Sequence, residues 1–87
     1  MKIQFHKRFE KRFQRLPPHL KHKATEAINR FMTDPFHPLL RNHALTGRMN
    51  GKRAFYVSAN VRIIFEELDG YTLILLLDIG SHEMVYR

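Results

Sequence analysis

The sequence predicts an α+β domain in which an N-terminal strand and a helical hairpin pack on a small, mostly antiparallel sheet, in the order β-α-α-β-β-β. Two observations predict this class. Apolar residues recur at helical spacing through residues 6–33. Residues 52–79 instead hold runs rich in aromatic and β-branched residues, separated by turn signals. A chain of 87 residues is long enough for one such domain, which we place at residues 1–87.

The first strand and helix follow from the N-terminal pattern. Residues 2–5 alternate polar and apolar side chains, which predicts a short strand. Phe9, Phe13 and Leu16 then lie on one face of a helix. Pro17 ends this helix, because a proline disfavours helical backbone in the residue before it.

The second helix begins at Pro18, since a proline at the first helical position loses no hydrogen bond. The Asp34-Pro35 pair ends it. Residues 34–42 have no periodicity and predict a loop. The apolar side chains of the second helix share one face: Leu20, Ala24, Ala27, Ile28, Phe31 and Met32.

The rest of the chain predicts strands at residues 43–46, 52–58, 61–65 and 71–79. The Asp69-Gly70 pair is a hairpin turn signal before the last of them. Residues 73–77 are apolar on both faces of that strand. We therefore expect the last strand to be central in the sheet and covered on both sides.

The charge of the chain is strongly positive and unevenly placed. The sequence has 15 Lys and Arg against 8 Asp and Glu, which gives a net charge of +7 and a pI near 10.3. Residues 1–32 carry nine basic and two acidic residues, whereas residues 54–87 have a net charge of −3. A compact domain this basic is typical of proteins that bind a polyanion, such as nucleic acid, an acidic protein or a membrane surface.

The composition excludes several classes of protein. The chain has no Cys, which rules out a disulfide-stapled scaffold, a zinc finger and a thiol enzyme. Its longest nearly unbroken apolar run, residues 71–77, is far shorter than the ~20 residues that span a bilayer. No apolar segment follows the basic N-terminus as it does in a signal peptide. We therefore expect a cytoplasmic protein with no membrane partner.

Arg62 is the most informative single residue, because it stands inside the apolar strand 61–65. An arginine there costs free energy unless its charge is solvated or paired. One interpretation places its guanidinium at the rim of the sheet or in an ion pair with Glu66, Glu67 or Asp78. The other leaves it on an open sheet face to bind a phosphate, which its planar fork of donors suits. The residues alone leave both open.

Histidines are the other candidates for chemistry. His82 follows a Gly-Ser turn and precedes Tyr86 by four residues. A histidine exchanges a proton near neutral pH, and a tyrosine hydroxyl can orient a phosphate. Taken singly, each is also explained as an ordinary polar residue, as is His43. His19 and His22 lack a third ligand, so we expect no metal site.

Three short blocks in the second half of the chain have a specific order and spacing. The first is residues 43–47 (HALTG), followed by Gly51 and Arg53. The second is residues 60–65 (NVRIIF), and the third is residues 80–86 (GSHEMVY). Together they resemble the RelE/YafQ-type toxins of type II toxin–antitoxin systems. The helical hairpin agrees with that family in length and order but carries no specific motif.

The resemblance implies a RelE-like toxin domain that cleaves mRNA, usually at the ribosome, without a metal or other cofactor. In that reaction the ribose 2′-OH attacks the adjacent phosphorus and leaves a 2′,3′-cyclic phosphate and a 5′-OH. Carried over by position, His82 and then His43 are the acid/base candidates, Arg62 clamps the phosphate, and Tyr86 orients it or stacks on a base. The RNA-binding candidates are Lys52, Arg53, Arg48 and Tyr56.

The same resemblance implies a protein partner. An acidic antitoxin, partly disordered when free, folds on such a toxin and covers its cationic site. We expect the toxin alone to be a monomer and its complex with the antitoxin to be an oligomer. The mRNA and the ribosome are the other expected partners.

Two positions depart from the YafQ-type pattern and keep other functions open. Tyr56 stands where these members often have a second catalytic histidine, and Asn60-Val61 stand where they have Asp-Trp. One alternative is a ParE-like inhibitor of DNA gyrase, which shares the fold without cleaving RNA; another is an inactive nucleic-acid-binding homologue. The pair of His82 and Tyr86 favours the nuclease, because a protein that only binds does not need it.

Overall fold

Five strands form one sheet in a computed structural model of the chain, which describes residues 1–85 and only the backbone at His82 and Met84. The strand order is β1-β5-β4-β3-β2, with β1 parallel to β5 and the other neighbours antiparallel. The predicted α+β class is therefore confirmed. The elements are β1 (Lys2–Phe5), α1 (Lys7–Arg15), α2 (Pro18–Thr33), β2 (His43–Ala44), β3 (Arg53–Ser58), β4 (Val61–Leu68), β5 (Leu73–Ser81) and α3 (His82–Val85).

Both long helices end where the sequence predicts. Leu16 has extended backbone (φ −68°, ψ 144°) before Pro17, and Asp34 leaves the helical region after its N–H donates to the Arg30 carbonyl. The side chain of His6 caps α1 by accepting a hydrogen bond from the Arg8 N–H at 3.0 Å. Among residues 1–85, no helix is long and apolar enough to cross a membrane.

The bounds of all four strands after the helices differ from the prediction, by one residue in β3 and by more in the others. β2 covers only His43–Ala44, because the chain turns into a short 3-10 helix at Gly47–Met49. β4 continues past the expected end at Phe65 to Leu68. β5 starts at Leu73 rather than Tyr71, since Tyr71 has a φ of +70° and lies in the turn.

The main core lies between the sheet and the two long helices, on what we call the helix-side face. Phe31 of α2 is fully buried there, with its ring 4.7 Å from that of Phe55 and 5.0 Å from that of Phe65. Aromatic pairs at such distances add to the stabilisation that burial provides. The other buried core residues on this face are Phe9, Ala24, Ala27, Leu40, Val57, Val61, Ile63, Ile74, Leu76 and Ile79.

The opposite face of the sheet, which we call the second face, carries the polar candidates. Its cross-strand partners form two rows, since paired residues of neighbouring strands point the same way. One row runs through His43, Ala54, Ile64 and Asp78, and the other through Tyr56, Arg62 and Gly80. Val85 of α3 packs on Ala54 and Ile64.

The prediction that β5 is covered on both sides is only half right. β5 lies inside the sheet, between β1 and β4, and its Ile74 and Leu76 are fully buried under the helices. Leu73, Leu75 and Leu77 are only half-buried. The reason is that α3, with four residues described, covers only a small part of the second face.

An ion pair joins α1 to β5. The His6 N–H donates to the Leu76 carbonyl at 2.9 Å, so α1 starts beside the middle of β5. From there Arg12 Nη1 donates to both carboxylate oxygens of Asp78, at 2.9 and 3.1 Å. The Ile79 N–H donates to the same carboxylate at 2.9 Å. Asp78 is 8% exposed in its side chain, so this carboxylate depends on Arg12 for compensation of its charge.

Replacing Arg12 with alanine is expected to lower the free energy of unfolding by about 2 kcal/mol, because it leaves the Asp78 carboxylate buried without its cation. Urea unfolding followed by circular dichroism measures the loss. The matched control is Arg15→Ala, since Arg15 is exposed and has no ion pair among the described residues. That change should stay within about 0.5 kcal/mol of the parent. In an Asp78→Asn background Arg12→Ala should cost much less; an equal loss in both backgrounds would contradict the pairing argument.

Candidate functional site

Arg62 lies on the second face, close to the hairpin that joins β3 to β4. Its Nη1 donates to the carbonyls of Ser58 (2.7 Å) and Val61 (3.2 Å), and its guanidinium carbon is 4.7 Å from the centre of the Tyr56 ring. These contacts hold a half-buried guanidinium in place without neutralising it. They leave its remaining N–H groups without a hydrogen-bond partner among residues 1–85.

The ion pair of Arg62 with Glu66, Glu67 or Asp78, which the sequence left open as one alternative, is not formed among the described residues. Asp78 pairs with Arg12 instead, and Glu67 accepts a hydrogen bond from the Tyr71 N–H at 3.0 Å. Within the described part of the chain, no carboxylate lies within ion-pair distance of Arg62. The rim position considered from the sequence is correct, whereas the carboxylate partner is wrong. The Arg62 charge is thus available to an external anion.

Arg41 is a neighbour of this site that the sequence analysis missed. Its guanidinium carbon lies 4.8 Å from the centre of the same Tyr56 ring. Arg41 has a left-handed backbone conformation (φ +49°), which bends the chain just before β2. A single basic residue in a loop has no periodicity to mark it. Its only sequence signal is its position two residues before His43, where the first family-like block begins.

His43 is exposed on the edge strand β2, in the row that continues through Ala54. Its Nδ1 lies 2.7 Å from the carbonyl oxygen of Arg41. A carbonyl oxygen only accepts hydrogen bonds, so Nδ1 carries the proton in this contact. In the neutral ring the lone pair is then on Nε2, which is the atom able to take up a proton.

Of the two C-terminal candidates, His82 approaches this site through its backbone. Arg62 pairs with Gly80 and Val61 pairs with Ser81, so His82 begins α3 directly beside the start of β4. The sheet therefore brings the backbone of His82 to the end where Arg62 lies. Tyr86 lies outside the described residues.

Lys52 lines a cavity of about 540 Å³ between α1 and the second face, which we call the α1 cavity. The basic side chains around it include Arg8 of α1 and His6, the N-cap of that helix. Its apolar lining consists of Met49, Ile64, Leu77 and Val85, with the Arg12–Asp78 pair at one side.

The remaining RNA-binding candidates do not join Arg62. Arg53 lies on the helix-side face, where its Nε donates to the Asn42 side-chain oxygen at 2.9 Å. The Asn42 amide in turn donates to the Tyr71 hydroxyl at 3.1 Å, so Arg53 has a structural role in this network. Arg48 is exposed in the 3-10 turn between β2 and β3.

Among the side chains that the structure describes, which do not include that of His82, no group of three or more His, Asp or Glu residues is arranged to hold a metal ion. His22, one of the pair on α2, has its Nε2 atom 3.4 Å from Glu26 Oε1. This exposed contact is a helix-surface pair.

Comparison with known families shows what kind of protein carries this basic face. A family model described as the bacterial toxin of a type II toxin–antitoxin system, YafQ, matches residues 1–87. The chain belongs to the YafQ toxin family. The resemblance of the three sequence blocks is thereby confirmed, and the protein is a toxin of a type II toxin–antitoxin system. No curated protein matches the sequence.

This YafQ-family chain has the same fold as several toxins of known structure. The YoeB/ParE toxin from Agrobacterium tumefaciens has a TM-score of 0.78 and 19% identity, covering 94% of this chain and 99% of that one. YafQ from E. coli strain BL21(DE3) has a TM-score of 0.75 and 19% identity, covering 98% and 97%. The E. coli DinJ–YafQ toxin–antitoxin complex gives 0.72 and 20%, covering 98% and 96%. The RelE-like topology expected from the sequence is confirmed by these likenesses.

Proposed function

We propose that this toxin is an endoribonuclease that cleaves mRNA at the ribosome through its own side chains. The observation that carries the proposal is the state of Arg62. Its guanidinium is fixed by two carbonyls and an aromatic ring, has no carboxylate partner among residues 1–85, and lies where the chain reaches His82. An uncompensated arginine beside a histidine is the pair of groups that phosphodiester cleavage requires.

The reaction transfers one phosphoryl group within the RNA. A base removes the proton of the ribose 2′-OH as its oxygen attacks the adjacent phosphorus, and the bond from phosphorus to the 5′ oxygen breaks. The products are a 2′,3′-cyclic phosphate and a 5′-OH, whose proton comes from an acid. Arg62 donates hydrogen bonds to the non-bridging oxygens, which gain negative charge in the phosphorane-like transition state. We assign His82 to one of the two proton transfers.

Four further residues assist in this proposal. His43 Nε2, left free by the contact of Nδ1 with the Arg41 carbonyl, is the second acid/base candidate. Lys52 and the exposed Arg48 add positive potential for the RNA backbone, and Tyr86 orients the phosphate or stacks on a base. Arg53 is left out of this set because it is bonded on the helix-side face.

The proposed partner is a cognate antitoxin with an acidic segment. The DinJ–YafQ complex has the same toxin fold with an antitoxin bound. A net charge of +7 favours an acidic segment here, which would cover the second face and neutralise Arg62 and Lys52. We propose that the toxin alone is a monomer and that an oligomer forms with the antitoxin.

The test is to map the 5′ ends of transcripts after a brief induction of the toxin. New ends within codons are expected, and the same cuts should carry a 5′-OH and persist when purified toxin and ribosomes are supplied with EDTA and enough Mg²⁺ to keep the ribosomes intact. Unbroken messages together with trapped gyrase–DNA cleavage complexes would support the ParE-like alternative instead. Cleavage lost whenever a transition metal is withheld would contradict catalysis by side chains alone.

A further inference from the structure

We propose that Arg41 binds the RNA phosphate next to the scissile one, and that Tyr56 positions Arg41 and Arg62 as a two-arginine clamp. The inference rests on the proposed nuclease function for its ligand. Its own basis is geometric, because both guanidinium carbons lie within 4.8 Å of one ring centre. The two charges are therefore no more than about 10 Å apart, which is the Debye length at 0.1 M salt.

Two like charges at this separation repel each other unless an anion lies between or above them. Asp78, in the neighbouring row of the second face, is engaged by Arg12, and neither Arg41 nor Arg62 forms an ion pair among the described residues. The cavity beside Tyr56, of about 230 Å³, is lined by Glu26 but also by Lys23 and Arg30. The surroundings of the ring therefore carry an excess of positive charge, which favours a polyanionic strand over a single acidic side chain.

The segment that carries Arg41 is held in place from both sides of the sheet. On the helix-side face, Asn42 donates to the Pro35 carbonyl (3.0 Å) and accepts from Arg53 (2.9 Å). On the other side, His43 Nδ1 donates to the carbonyl of Arg41 itself at 2.7 Å. The left-handed backbone of Arg41 is thus fixed by its neighbours, which holds the start of its side chain beside Tyr56.

The Tyr56 ring gives the two arginines a shared support. A guanidinium stacked on an aromatic face keeps its edge N–H groups free to bind phosphate oxygens. Arg62 is additionally tied to the hairpin carbonyls, so it is the fixed member of the clamp, whereas Arg41 is exposed and meets the strand first. Tyr56 needs no proton transfer for this positioning role.

The test measures binding without cleavage. The probe is a fluorescent RNA octanucleotide of mixed sequence with 2′-O-methyl groups throughout, which has no 2′-OH to attack. Arg41→Ala should weaken its binding about tenfold at low salt and reduce the slope of log K against log salt by about 0.7, the value for one phosphate contact on a single strand. Arg41→Lys should keep the slope but bind more weakly than the parent, since lysine lacks the planar fork. Tyr56→Leu should weaken binding and leave little further effect for Arg41→Ala.

Lys2→Ala is the control for the loss of one positive charge. Lys2 is exposed and pairs with Leu73, at the start of β5, whereas Arg62 pairs with Gly80 near the end of that strand. If Arg41→Ala has the affinity and slope of Lys2→Ala, the clamp is wrong even when the toxin cleaves mRNA. If Arg41→Ala loses binding as expected while no message is cut by the parent, the clamp stands and the nuclease function falls. Circular dichroism confirms that each variant is folded.

Discussion

Replacing Arg62 with alanine is expected to lower the rate of mRNA cleavage about a thousandfold and to relieve the growth arrest that the induced toxin causes. Removal of a single donor from the site of developing negative charge costs about 10²–10³ in rate. We expect the loss for Arg62 to lie at the upper end of this range. Arg62 supplies a full positive charge, and no carboxylate among residues 1–85 pairs with it. The measurement is single-turnover cleavage of a ribosome-bound message by purified toxin.

Two variants separate the phosphate role from a general loss of charge or fold. Arg62→Lys retains the charge but loses the contacts to both Ser58 and Val61, so it should recover only part of the rate. Lys2→Ala removes a charge remote from the site and should retain the parent rate. Full activity in Arg62→Ala, with an unchanged thermal unfolding curve, would rule out this residue as the phosphate clamp.

The fold was predictable where local chemistry decides it. Pro17 and the Asp34-Pro35 pair fix the helix ends, and the Asp69-Gly70 turn fixes the last hairpin. The cover of β5 was not predictable, since the apolar pattern of residues 73–77 is the same whether a long or a short element lies above it. The partner of Asp78 was equally hidden, because Arg12 lies 66 residues away in the sequence.

The candidate site was predictable only in part, for a similar reason. An arginine inside an apolar strand stands out by its cost, which is why Arg62 was found. Arg53 was included for its charge, yet the period of two along β3 places it on the face opposite Tyr56 and Arg62 once their pairing is known. Arg41 was missed because its link to the site passes through the Tyr56 ring rather than through sequence spacing.

The structure also divides the excess positive charge into groups with different contacts, which the sequence alone did not indicate. From the sequence, the basic residues of the two long helices contribute only to a net charge that favours a polyanionic partner. Instead Arg8 lines the α1 cavity together with Lys52, and Arg12 neutralises Asp78 at its side. The basic residues behind the net charge of +7 therefore have separate roles. Arg12 forms a structural ion pair, Arg8 and Lys52 line a cavity, and Arg41 and Arg62 share one aromatic ring. The ion pair acts at contact distance, whereas the other charges act over about a Debye length.

Replacing His82 with alanine is the second large expected effect, with a loss of about 10³ in cleavage rate, because a positioned acid or base contributes 10²–10⁴. His22→Ala is the matched control among the histidines and should retain the parent rate, as His22 is exposed on α2 beside Glu26. The parent should show a bell-shaped pH dependence of the single-turnover rate, and His82→Ala should lose one limb of it. A His82→Ala variant as fast as the parent would remove this residue from the reaction.

A modified substrate then assigns the role of His82. When the 5′ bridging oxygen of the scissile phosphate is replaced by sulfur, the leaving group departs without protonation. If His82 is the acid, His82→Ala should cleave this substrate nearly as fast as the parent does, whereas an undiminished defect identifies His82 as the base that activates the 2′-OH. Because Arg62 acts on the non-bridging oxygens, Arg62→Ala should remain slow on the same substrate. The sulfur substitution therefore separates proton transfer at the leaving group from stabilisation of charge at the phosphorus.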